Sequence, residues 1–118
     1  MPRFLCELSY TPEAWAALLE NPTNRPQAIQ PALNAVGAKF ESVFFAFGDC
    51  DMVGILDAPD NVSAAALSLC ISASGVVKSC KTTPLMSVED GIEAMRKGAR
   101  ALAAYPKLTK PLAGAAKN

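Results

Sequence analysis

Asp49, Cys50 and Asp51 form the densest run of chemically able side chains in the sequence. Two adjacent carboxylates raise a thiol pKa above its ordinary value of about 8.5 and disfavour the thiolate, so a nucleophilic Cys50 is not expected. The two aspartates share a strand face if the extension holds, but the segment offers too few oxygen ligands for a hard cation. Capping the backbone donors of a turn suits them better. The chain contains no histidine, which removes the commonest general acid/base and the usual metal or haem ligand. Cys6, Cys50, Cys70 and Cys80 show no C-x-x-C spacing and each sits in an apolar run, so all four are expected to pack as small hydrophobes. No catalytic residue, metal site or cofactor is assigned.

A second group suits binding. Tyr10, Trp15, Phe45 and Phe47 supply aromatic walls for a small-ligand pocket, Asp51 a carboxylate, and Lys81 or Arg25 a cation for an anionic group. Blander roles compete: Trp15 as core, and Lys78 and Lys81 as charges that discourage further strand pairing.

The elements that must position these residues follow from periodicity and punctuation. Arg3 to Tyr10 alternates with Phe4, Cys6, Leu8 and Tyr10 on one face, the period of a half-buried strand. Thr11-Pro12-Glu13 starts a helix running to about Glu20. Asn24 with Gln27 resembles a capping box for a second helical piece, kinked at Pro31 and stopped near Gly37. Two apolar runs, about Lys39 to Phe47 and Cys50 to Asp57, meet at Gly48-Asp49, where a tight hairpin turn with positive φ is expected. Asp60-Asn61 caps a helix from Val62 to about Ser74, and Gly75 ends it. Val76 to about Thr83 is a polar, and therefore edge, strand broken by Pro84. The resulting β-α-β-β-α-β order is an α+β ferredoxin-like antiparallel sheet with the first and third strands central and helices on one face. A last helix opens at Ser87 and Asp90, with Val88, Ile92, Met95, Ala99 and Leu102 in one stripe. Residues 1–105 are read as one domain and 106–118 as a flexible tail.

Composition narrows the partners. Lys+Arg and Asp+Glu both total 11, so no basic field draws nucleic acid. No stretch reaches the ~18 apolar residues of a membrane span and the start lacks a secretory apolar run, so neither membrane nor export is expected and the cytoplasm is assigned. Val43-Phe44-Phe45-Ala46-Phe47 is apolar on both strand faces and needs cover on both sides. The helices cover one side, so a second copy is expected on the open sheet face, making a homodimer or higher homo-oligomer.

Three blocks carry a family resemblance: YTPEAWAALLENP at Tyr10–Pro22, FAFGDCDMVGILDAPDNVSAAAL at Phe45–Leu67 and KTTPLMSVEDGIEAMRKG at Lys81–Gly98. Together they resemble the GYD-domain family of small bacterial proteins, over Arg3 to about Gly98. The resemblance implies a ferredoxin-like fold of the dimeric α/β-barrel type. The family's turn reads Gly-any-Tyr-Asp; this chain has Gly48-Asp49-Cys50-Asp51, with cysteine in place of the tyrosine.

Two functions fit these readings, with a purely structural oligomer that binds no ligand as a third. One is a homo-oligomeric module that binds a small ligand or regulates through interaction, without chemistry of its own. The alternative is a cofactor-independent dimeric-barrel enzyme, oxygenase- or isomerase-like, that acts on a small apolar substrate with Tyr10, Asp51 or Lys81 moving protons; it rests on analogy of fold.

Overall fold

Residues 1–108 are described by the computed structural model. The chain divides into two compact units, Met1–Leu85 and Met86–Asn118. In the first, β1 (Arg3–Tyr10) is followed by α1 (Pro12–Glu20), α2 (Arg25–Ala28), α3 (Gln30–Ala35), β2 (Lys39–Phe45), β3 (Met52–Asp57), α4 (Asn61–Ala73) and β4 (Val77–Leu85). The strands form one sheet in the order β2-β3-β1-β4, every neighbouring pair antiparallel. This is the ferredoxin-like α+β arrangement expected from the sequence, with β1 and β3 central and the polar β4 at an edge. The second unit holds α5 (Val88–Ala104). From residue 109 onward the expected tail lies outside the described residues.

Local chemistry explains where the helices begin. Thr11, Asn24, Asp60 and Ser87 each accept a backbone N–H from three residues on, at 3.1, 3.1, 2.8 and 3.0 Å. Each bond satisfies a donor that the first helical turn leaves free. At Asp60 the bond from Ser63 holds the carboxyl below its usual range. Pro31 ends a helical run rather than bending it: α2 stops at Ala28 and α3 restarts at Gln30, because Pro31 has no N–H to return to Gln27. Gly37 and Gly75, at φ 69 and 78, take the left-handed conformation that ends α3 and α4.

Phe4, Cys6, Leu8 and Tyr10 of β1 and Met52 and Leu56 of β3 are buried on the helix-covered face, with Leu33, Ala64 and Leu67 from the helices. Gly54 sits on this face opposite Cys6 and Val43. A Cβ there would lie 2.9 Å from the Ser42 carbonyl oxygen and 3.2 Å from the Phe40 ring. Gly54→Ala is therefore expected to destabilise the fold by about 1–3 kcal/mol, seen as a lower urea midpoint, because the backbone oxygen must move.

Two further expectations are corrected. The hairpin is not closed by a tight turn at Gly48-Asp49: β2 ends at Phe45, β3 starts at Met52, and Gly48 has no positive φ. Ala46 N–H donates to the Asp51 carbonyl at 2.9 Å while Asp51 N–H donates to Leu8 at 2.8 Å. Asp51 is thus drawn to β1, which widens the connection, and neither Asp49 nor Asp51 lies on a strand. Nor does Pro84 break β4. It pairs with Phe4 inside the ladder, tolerated because an edge strand needs no donor on its outer side.

Candidate functional site

Tyr10 ends β1 on the buried face, and Asn24 starts α2 so that Arg25 is its first residue. Both line a cavity of about 70 Å³ between sheet and helices, walled otherwise by Leu8, Met52, Ile29, Leu67 and Ile71 among others. That space exceeds what one water needs, and its wall is nearly all apolar. A wider groove of about 450 Å³ lies along α4 and β4, but there the Ser68 and Thr82 hydroxyls already bond each other at 2.6 Å.

Two donors distinguish the smaller cavity. The Tyr10 hydroxyl is buried and donates to the Met52 sulfur at 3.6 Å, a weak acceptor. Burial pushes the phenol pKa up, with Asp51 adding to the rise and Arg25 opposing it, so the group stays a protonated donor. The Arg25 Nε is buried and has no hydrogen-bond partner among the described residues.

Behind Tyr10 stands a carboxylate brace. Asp51 Oδ2 accepts the Tyr10 backbone N–H at 2.8 Å and the Trp15 indole N–H at 3.1 Å. The Trp15 ring stands edge-on to the Tyr10 ring, centroids 5.2 Å apart at 83°. Asp51 thereby fixes β1, α1 and the hairpin connection to one another.

Tyr10, Trp15 and Asp51 are brought together and Arg25 shares the cavity with Tyr10, whereas Phe45, Phe47 and Lys81 do not line it. Phe45 is opposite Met52 but more than half exposed, at 53 %. Phe47 is fully exposed in the hairpin connection. Lys81 is opposite Glu7 on the other face of the sheet. The apolar wall from α4, Leu67 and Ile71, was not assigned from sequence; α4 is apolar nearly all round and offers no stripe that singles them out. Among the described residues no three His, Cys, Asp or Glu side chains gather as a metal site.

The family model of the GYD domain matches residues 4–95. The chain belongs to the GYD-domain family. No curated protein and no solved structure gives a significant match. In this GYD domain, Asp51 of the Gly48-Asp49-Cys50-Asp51 segment is the brace just described, while Cys50 is partly buried.

The four cysteines of the GYD domain are all free thiols. Cys6 is buried in the core and Cys70 is exposed, so the expectation of four packed cysteines holds at Cys6 and fails at Cys70, which lies exposed on α4 beside the cavity. Burial raises the Cys6 thiol from 9.0 to about 11, partly offset by a bond with Thr82. A thiol raised on folding contributes its stability fully below the unfolded value and loses it as pH climbs through the folded one. Stability is therefore expected to decline between pH 9.0 and about 11. Urea midpoints across that range check it, with Cys6→Ala giving the shallower slope.

No helix among the described residues is long and apolar enough to cross a membrane.

Proposed function

We propose that this GYD domain is a homo-oligomeric binding module. Its ligand is a small, largely apolar molecule carrying one acceptor or anionic group, taken into the Tyr10–Arg25 cavity. One observation carries the reading. Tyr10 and Arg25 line the same apolar cavity, and each carries a buried donor, the Tyr10 hydroxyl with only a thioether acceptor and the Arg25 Nε with none among the described residues. A buried donor without a good acceptor is costly, and a carboxylate or carbonyl oxygen would satisfy both. Asp51 fits the role of a brace rather than a proton-transfer group, since one of its oxygens already accepts two N–H donors.

Assembly is proposed on the sheet face turned away from the helices. Leu5 pairs with Ile55 and Phe44 with Val53 on that face, an apolar patch with Arg3, Glu41 and Asp57 in an ion-paired group beside it. Phe44 is 64 % exposed. An apolar centre with a charged rim suits a face-to-face pair of copies.

Native mass spectrometry of the protein from its own host reads assembly and retained ligand together, and thermal shift with short aliphatic and aromatic carboxylates tests the cavity. The expected result is a homo-oligomer stabilised by such acids, the effect lost in Arg25→Met and reduced in Tyr10→Phe. A monomer indifferent to every acid would overturn the reading.

A further inference from the structure

Helix α5 carries Val88, Ile92, Met95, Ala99 and Leu102 at spacings alternating four and three. That period of 3.5 residues is the narrow seam along which one helix packs on another, rather than the broader stripe of a helix lying on a sheet. All five residues are exposed.

The flanks of the seam differ. On one side stand Gly91 and Gly98, seven residues apart, and a Cβ built at either would meet nothing within 4 Å. Glycine weakens a helix interior, and no contact among the described residues accounts for it here; a small residue at these positions suits close approach of another backbone. On the other side stand Glu89 and Arg96, also seven apart and opposite in charge. Arg96 meets Glu93 of its own helix at 3.4 Å, but both are more than half exposed and such a pair is weak.

We infer that α5 pairs antiparallel with α5 of a second copy. Antiparallel packing sets Ile92 of each copy on Met95 of the other and Val88 on Ala99. Glu89 of each then faces Arg96 of the other twice over, while Gly91 faces Gly98 and lets the backbones close. A parallel pair would place each charge opposite the glycine flank and match none of them. The contact uses none of the residues of the sheet face or the cavity, so it stands or falls apart from both.

The test uses the full chain carrying Ile55→Glu, which removes sheet-face pairing, and follows association by sedimentation velocity. Glu89→Arg or Arg96→Glu alone is expected to raise the dissociation constant about tenfold, since each sets like charges opposite one another. The double swap Glu89→Arg/Arg96→Glu restores association, and a mixture of the two single variants forms mixed pairs. With Cys50 and Cys70 replaced by serine, Val88→Cys/Ala99→Cys forms disulfides between copies on mild oxidation, whereas Val88→Cys alone does not. Failure of the double swap to restore pairing, self-linking of the Val88→Cys chain, or no association at any concentration would overturn the antiparallel pair.

Discussion

Asp51→Ala is expected to lower the stability of the first unit by about 2–4 kcal/mol. One carboxylate oxygen accepts both the Tyr10 backbone N–H and the Trp15 indole, and hydrogen bonds to a charged acceptor are each worth about 1.5–3 kcal/mol before solvent exposure discounts them. Removing it strands two partly buried donors at the junction of β1 and α1. Asn at this position keeps a carbonyl oxygen in place, so Asp51→Asn should lose roughly half as much. Trp15 is the chain's single tryptophan, which makes its fluorescence a direct reporter. Its emission should move to longer wavelength in the Ala variant under native conditions, and urea unfolding gives the energy. A change within 0.5 kcal/mol, the scale of an ordinary surface substitution, would show that the brace carries nothing.

The second large effect concerns assembly. Ile55 lies at the centre of the apolar sheet face, paired with Leu5, and is half-buried within one copy. If two copies meet face to face, a two-fold axis buries this position twice. Ile55→Glu would then lose about 2 kcal/mol at each of two sites, raising the dissociation constant about a thousandfold. The folded protein should become smaller by sedimentation at the sheet-mediated step, and its melting temperature should cease to depend on concentration through that contact. Gly54, one residue away but on the opposite face, gives the contrast: its alanine variant should lose stability with no direct effect on that interface. An Ile55→Glu chain that assembles like the parent would remove the open face from the proposal.

Helix starts were legible in the sequence because each cap is satisfied three residues away, so Thr11, Asn24, Asp60 and Ser87 announce themselves without tertiary help. Strand order was legible too. A polar β4 reads as an edge, and β1 and β3 carry the buried alternation of central strands. The hairpin turn was misread because Gly48-Asp49 has the composition of a tight turn, yet Asp51 is held by residues of β1 rather than by its sequence neighbours. Pro84 was misread as a stop for the converse reason, since only its place on an outer edge makes the missing donor harmless.

For the site, the sequence by itself determined that chemistry without histidine must rest on few groups, and it singled out Tyr10, Trp15, Phe45, Phe47 and Asp51 with Lys81 or Arg25. Only the tertiary structure decided that Tyr10, Trp15 and Asp51 meet, that Phe45, Phe47 and Lys81 lie elsewhere, and that Arg25 shares a cavity with Tyr10. Caps and periodicities are satisfied within a turn or a strand and so leave a local trace. A bond from Asp51 to residues 41 and 36 positions back depends on sheet register and on where α1 and α2 settle, which no short stretch of sequence encodes.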